Sequence, residues 1–393
     1  MEKIVVIAGQ RTPFGAFGGS LKDVSATQLS VAAGRSTLEQ AGVSPLKIDH
    51  VVIGNVVQSG SDAAYLPRHV GLYLGVPVEV GALAVNRLCG SGFQAWTSAA
   101  QMLLTNEAKC VLAGGVEQMS QIPYVLRGAR FEGYRMGNAP VEDLMTSALT
   151  DAYAGTPMAI TAENLADKYD ITRDACDEYS MLTQKRYAEA LGKGYFKSEI
   201  SAVKVTTKKG DLLVEKDEHP KPDTPPEKIK ALKPLFKPNG TVTAATASGI
   251  VDGAASSILT TEAQAKALGA KPKVRIHGWA AVGCDPKIMG IGPAYAIRKL
   301  LDQTGMKLSQ IDLVEVNEAF AAQYLAVEKE LGLERSRTNV NGGAIAVGHP
   351  LGASGTRIMN HLMYELERRQ ARYAIGSACI GGGQGIAILI ERV

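Results

Sequence analysis

Short apolar runs alternate with longer stretches of helical spacing at both ends of the chain. Residues 4–7, 51–53 and 111–113 read as buried strands, and 26–41, stopping before Gly42, reads as a helix. The last third repeats the rhythm with a helix over 294–304 ending at Gly305, a strand over 313–316, a helix over 352–368 and a strand over 374–378. This alternation predicts an α/β sheet protein. Tyr373 to Ile390 carries no charge, yet its five glycines and its Gly-Gly-Gly-Gln-Gly turn predict two buried strands joined by a loop rather than a membrane span.

The two ends also share a spacing. Asn55, just after a strand, precedes Cys89 by 34 residues, and Asn317, also just after a strand, precedes His349 by 32. Cys89 then runs 25 residues to Gly114, and His349 runs 27 to Gly376. An internal duplication that places Cys89 and His349 at equivalent helix starts accounts for both. The middle breaks the pattern: Lys204 to Lys237 holds nine lysines, six acids and five prolines, which predicts surface loops or a cover. Its lysines suit either a solvated face or contact with a ligand phosphate.

Composition narrows the classes. The 393 residues are 46% hydrophobic and 21% charged, ordinary values for a globular protein of two or three domains. A net charge of +3 argues against nucleic acid as a partner and is compatible with a phosphate-bearing ligand. The 42 glycines exceed the usual frequency of about 7% and imply many close backbone approaches. Five cysteines, an odd number with no C-x-x-C spacing, read as reduced thiols in a cytosol-like compartment. The opening Met1-Glu2-Lys3 leads straight into the first strand, so no targeting segment is expected. The six histidines, at 50, 69, 219, 277, 349 and 361, show no paired ligand spacing, and no metal site is expected.

Two of the cysteines sit in glycine-rich frames, Cys89 in Asn86-Arg87-Leu88-Cys89-Gly90-Ser91-Gly92 and Cys379 in Ser377-Ala378-Cys379-Ile380-Gly381-Gly382-Gly383. Taken alone, each thiol would be a small core side chain. Cys89, however, precedes a helical pattern, where the dipole favours thiolate and a backbone N–H can meet an oxyanion. His349, between Gly348 and Pro350-Leu351-Gly352, stands at another helix start, which favours the neutral imidazole needed to accept a proton. Asn317 in Asn317-Glu318-Ala319-Phe320 supplies an amide, and Cys379 a second proton-transfer group. Together they predict a thiol enzyme acting on carbonyls.

These segments, in order with Arg11-Thr12-Pro13-Phe14-Gly15, Gly114 to Ser120, Met158 with Thr161 to Asn164, and Asn339 to Gly355, resemble the thiolase family over essentially the whole chain. The resemblance implies a duplicated five-layer α-β-α-β-α core with an inserted loop domain. The first domain would comprise residues 1–120 plus about 250–271, the CoA-binding loop domain 121–249, and the last domain 272–393. It implies Cys89 as acyl-accepting nucleophile, His349 as its base, and Cys379 as acid and base at the α-carbon of an acetyl unit. One oxyanion site would use His349 with a water held by Asn317, the other the N–H groups of Cys89 and Gly381. Coenzyme A would be a substrate rather than a bound cofactor, contacted by Ser248, by Phe236 and the loop around Lys221, and by Met158 and Phe320. A homotetramer is the expected assembly, with the dimer as the other form the family takes.

Within the family, Ala245-Thr246 stands where Gly-Asn is usual, and Thr156-Pro157-Met158-Ala159 lacks the histidine of acetoacetyl-CoA-specialised members. With Ser61 to Leu66 and Cys284-Asp285-Pro286, this is more similar to the 3-ketoacyl-CoA-degrading branch, particularly its animal mitochondrial type, but without a clear targeting extension. A cytoplasmic acyltransferase of fatty-acid β-oxidation, with short- to medium-chain substrates, is the expectation. The alternatives are an acetoacetyl-CoA-specific acetyltransferase, a ketoacyl-condensing enzyme, a thioester hydrolase and a silent lipid-binding relative. Cys379 argues against the condensing enzymes, and the complete set of reactive groups against the silent relative.

Overall fold

The computed structural model describes residues 2–131, 133–208 and 210–393; Met1 of the opening segment and Lys209 of the lysine-rich stretch lie outside the described residues. The first half contributes strands β1 (Ile4–Arg11), β2 (His50–Gly54), β3 (Gly81–Val85), β4 (Cys110–Gln118) and β5 (Val251–Thr261). The second contributes β6 (Val274–Gly283), β7 (Leu313–Val316), β8 (Tyr373–Ile380) and β9 (Gln384–Arg392). Residues 373–390 are thus two strands, as the glycine-rich turn predicts. The helices that matter for the site are α1 (Ala26–Ala41), α2 (Leu66–Leu74), α3 (Ser91–Leu104), α4 (Met158–Lys168), α5 (Arg173–Gly192), α6 (Gly292–Thr304), α7 (Ala321–Leu331) and α8 (Leu351–Arg369).

Helix ends follow local chemistry. Ser25 and Gln28 form a reciprocal capping box at the start of α1, and Gly42 ends that helix at φ 63°. Gly305 ends α6 at φ 67° in the same left-handed conformation.

The strands form a 10-stranded sheet whose path runs β7-β8-β9-β6-β1-β5-β4-β2-β3, with the short strand Gly15–Ala16 beside β5. From β1 outward the pairings are antiparallel to β5, antiparallel to β4, parallel to β2 and parallel to β3. From β6 outward they are antiparallel to β9, antiparallel to β8 and parallel to β7. A lone parallel bridge from Val314 to Thr338 stands where a fifth strand would be. The joint between the halves is two pairs, Val5 with Arg275 and Val6 with Val274. The duplication anticipated from residue spacing is therefore present in the strand order.

Three apolar cores separate the layers. One packs α1 and α2 on the outside of the first half-sheet, and another packs α6 and α7 on the outside of the second. The third lies between the half-sheets around α3 and α8. Every residue of α8 from Leu351 to Leu366 is buried, as expected for a helix with sheet on both sides. Helices α3 and α8 touch through glycines: a Cβ on Gly355 would stand 2.3 Å from the Phe93 nitrogen, and one on Gly92 would stand 2.5 Å from the Thr356 nitrogen. Only hydrogen fits in this crossing, and it brings the two helix starts together.

Residues between β4 and β5 form the excursion that the lysine-rich composition marks. It is more ordered than loops alone. Within it are α4, α5 and an antiparallel hairpin of Val203–Thr207 with Gly210–Val214, whose Val203, Val205 and Val214 are buried against the first outer core.

Candidate active site

The Cys89 turn is built before α3 begins. Asn86 Oδ1 accepts from the Leu88 N–H at 3.0 Å, and Ser91 Oγ accepts from the Arg87 N–H at 2.9 Å while donating to the Leu88 carbonyl at 2.7 Å. Leu88 is held at φ 47°, a conformation that costs a non-glycine residue on the order of 1 kcal/mol and is kept only where the surroundings impose it. Cys89 follows, partly buried.

The backbone N–H groups of Gly381 and of Cys89 itself act on its sulfur in the direction that favours thiolate. The turn after β8 is thereby brought onto the turn before α3. Burial nevertheless dominates and pushes the Cys89 thiol up to about 11, with Glu117 adding in the same direction. The helix start therefore does not leave Cys89 ionised at rest, and the thiol needs a base to take its proton.

His349 is buried and neutral, its pKa lowered to about 3 by burial first and by the charge of Arg357 second. Its backbone N–H donates to the Gly249 carbonyl at 2.9 Å. Asn317 Nδ2 lies 3.3 Å from Nε2, and Ser354 Oγ lies 2.5 Å from Nδ1. Since the amide nitrogen can only donate, the hydrogen-bond network assigns the proton to Nδ1 and the lone pair to Nε2. Asn317 Oδ1 has no protein partner. Its backbone N–H donates to the Ser377 carbonyl at 2.9 Å, tying it to the strand that ends in Cys379.

Cys379 is fully buried, and its thiol is pushed well above the ordinary value by burial and by the neighbouring Cys89 and Cys284. It packs in a small apolar cluster with Met289 and Ala319, flanked by Met158 and Phe320. Ser248 donates its N–H to the Ala319 carbonyl at 3.0 Å, and Ala247 bridges Phe320. Met158 and Phe320 therefore border Cys379, and Ser248 is held beside them through Ala319.

Phe236 and Lys221 stand further out. Phe236 is about half exposed, next to Leu235, whose N–H donates to the Val242 carbonyl at 3.0 Å. Val242 packs with Ala247 and Phe320. Lys221 is exposed, and its charge acts on His219, whose ring lies against Gly249. No triad of metal-ligating side chains occurs among the described residues.

Sequence reasoning missed three residues here. Ser354 follows His349 by five positions within the helix start, so its contact depends on α8 beginning at Leu351. His219 has no local signal. Cys284 is the third thiol near Cys379, brought there by its N–H bond of 2.7 Å to the Gly383 carbonyl. The site thus gathers a thiol beside two backbone N–H groups, a neutral imidazole whose Nε2 lone pair faces Asn317 and a second, protonated thiol. A cavity of about 1170 Å³ between α1 and the 203–206 hairpin strand shares none of these groups and is not this site.

Comparison with known proteins matches the chain along nearly its whole length. The thiolase N-terminal domain model matches residues 4–263, and the thiolase C-terminal domain model matches 270–392. The chain is 52% identical over 392 residues to the mitochondrial 3-ketoacyl-CoA thiolase of Bos taurus, covering 100% of this chain and 98% of the relative. It is 46% identical to an acetyl-CoA acetyltransferase of Chromobacterium violaceum, covering 99% of this chain and 100% of that one. The crystal structure of human mitochondrial 3-ketoacyl-CoA thiolase in complex with CoA superposes with a TM-score of 0.97 at 51% identity, over 100% of this chain and 98% of that chain. The mitochondrial names of the bovine and human proteins overturn the cytoplasmic location expected above. Reduced cysteines suit any reducing compartment, so they could not distinguish the two.

Proposed function

The chain belongs to the thiolase family of acyltransferases, and we propose that it cleaves 3-ketoacyl-CoA with CoA, taking the acyl group on Cys89. The observation that carries this reading is the meeting of two unlike thiols, Cys89 beneath the Gly381 N–H and Cys379 buried beside it.

His349 Nε2 takes the proton of Cys89 as the sulfur attacks the 3-keto carbon, and the resulting oxyanion faces backbone donors. The C2–C3 bond breaks, its electron pair forms the enolate of acetyl-CoA, and the Cys379 thiol protonates that carbon. His349, now carrying a proton on Nε2, and a water held by Asn317 hold the enolate oxygen in this reading, which the 3.3 Å approach of Asn317 Nδ2 to Nε2 supports, so one nitrogen serves first as base and then as hydrogen-bond donor. A CoA thiol then returns its proton to Cys379 and attacks the acyl group, and Cys89 leaves, recovering its proton from His349. Cys379 suits this exchange because burial keeps its proton on at rest.

For CoA, Met158, Phe320 and Ser248 are proposed to line the thiol end, with Phe236 and Lys221 at the nucleotide end. Residues 1–120 with about 250–271, residues 121–249 and residues 272–393 are proposed as the first, loop and last domains. The 3-ketoacyl-CoA branch is favoured over acetoacetyl-CoA specialisation by Thr156-Pro157 before Met158, at the bordering helix α4, where no histidine stands. Loss of the 3-keto absorbance with added CoA should occur for substrates of several chain lengths. Cleavage of acetoacetyl-CoA alone would shift the reading to the acetyltransferase, and thioester loss without CoA would shift it to a hydrolase.

A further inference from the structure

Strand register relates the halves residue by residue. Gly54 of β2 pairs with Gly115 of β4, and Val316 of β7 pairs with Ser377 of β8. Asn55 follows the first pair and Asn317 the second; two positions along from Gly115 and Ser377 stand Glu117 and Cys379. Positions 55 and 317 and positions 117 and 379 are therefore equivalents, and 89 and 349 correspond because each stands two residues before a helix start, at Ser91 and Leu351. Four of these six residues already have roles in the site. The remaining two, Asn55 and Glu117, bond each other, with Asn55 Nδ2 donating to Glu117 Oε1 at 3.1 Å.

Glu117 is fully buried, and no cation neutralises it among its hydrogen-bond partners. Its carboxylate accepts from the N–H of Val57 at 2.9 Å, of Val56 at 3.2 Å and of Gly352 at 2.8 Å. Gly352 is in the first turn of α8, three residues after His349. Val56 in turn accepts from Asn86 Nδ2 at 2.9 Å, and Asn86 shapes the Cys89 turn. One side chain thus joins the supports of both groups.

We infer that Glu117, steadied by Asn55, is a positioning residue for acyl transfer, its carboxylate clipping the helix behind His349 to the turn behind Cys89. The inference rests on the roles proposed above for those two residues. Burying an uncompensated carboxylate is costly, and an apolar residue would fill the space without that cost. The clip explains its presence, because a carboxylate offers lone pairs to four converging donors, where an amide oxygen would satisfy two.

The charge also reaches the reaction. Burial raises the Glu117 carboxyl to about 7, and its ionised form disfavours thiolate at Cys89. The charged or titratable groups on the elements around it are few. His349 and Arg357 lie on the α8 side, and Arg87 of the Cys89 turn is bonded to Gln94 and Gln384. Gly253, its β5 partner, has no side chain, and the adjacent Asp252 is held by Ser120.

The test measures iodoacetamide labelling of Cys89 by mass spectrometry across about pH 6 to 11, together with acyl-transfer kinetics, on the full-length protein. Wild type should show an inflection near neutrality from Glu117 below the main rise from the thiol. In Glu117→Gln the lower inflection should vanish, and the main rise should move down by about half a pH unit as the like charge is removed. kcat should fall about tenfold, with KM for CoA within about twofold, because two donors then face an NH₂ group and the clip loosens. A fall in kcat with the wild-type labelling profile would leave Glu117 a packing residue and overturn the inference, as would unchanged kinetics. If Glu117→Gln does not fold, Asn55→Ala decides, since losing one donor should move the lower inflection upward, and an unmoved inflection overturns the inference. Labelling or acylation that persists at full rate in Cys89→Ser would instead refute the nucleophile assignment.

Discussion

A thiol held near 11 by burial does not wait as a thiolate, so Cys89 becomes a nucleophile only when a base removes its proton during attack. His349, lowered to about 3, is neutral at every pH where the enzyme could work and keeps its lone pair on Nε2. Acyl transfer should therefore show no acid limb from His349 near pH 6, and acylation of the protein by acetyl-CoA across that range would reveal one if the imidazole were charged. Stability follows the same shift. The unfolded histidine binds a proton below about 6.5 while the folded one does not, so stability present above that pH is lost as the pH falls toward 3. Cys89→Ala should abolish acylation. Cys379→Ser should keep Cys89 acylation but slow cleavage at least about a hundredfold, since a hydroxyl is a far weaker acid than a thiol. Equal and complete loss of both steps would show that the two cysteines do not divide the work. Cys89, His349 and Cys379 were readable from their glycine and proline settings and Asn317 from its place just after a strand, whereas Ser354 was not, because its contact depends on where α8 begins, and Glu117 was not, because its partners lie on other elements.

The elements were legible where a local signal ended them. Gly42 and Gly305 stop α1 and α6 where the pattern predicts. Strand β4 extends beyond the predicted 111–113 to Cys110–Gln118, because Gly114 and Gly115 interrupt the apolar run while still pairing with Ser256 and Ala255. Gly114 leaves room for the β5 backbone at Ala255 and Gly115 for α8 at Gly352, and the crossing of α3 with α8 shows the same requirement between helices. Gly355→Ala would push a methyl to 2.3 Å from the Phe93 nitrogen, backbone that cannot swing away. We expect it to cost about 1–3 kcal/mol in denaturant unfolding and to lower kcat by separating the Cys89 and His349 supports. Unfolding at the wild-type midpoint would mean that the crossing relaxes freely.

The joint between half-sheets could not be read from the chain, since the pairing of Val5 and Val6 with Arg275 and Val274 joins strands far apart in sequence, with no turn to signal it. Assembly has one structural pointer. Strand β3 is an edge strand with apolar residues facing solvent, including Leu83 at 38% exposure, and it leads into the Cys89 turn. Exposed edges invite pairing, so a homotetramer or dimer using this edge is proposed. Leu83→Lys should lower the mass measured by light scattering, and an unchanged mass would place the contact elsewhere. The near-repeat of the two halves has a further consequence. Two identical copies of one half would present like against like, cysteine facing cysteine or histidine facing histidine, and proton exchange between a pair needs partners of different acidity. Joining the copies in a single chain frees each position to change independently of its counterpart, and the chemistry proposed here resides in the differences that this freedom allowed.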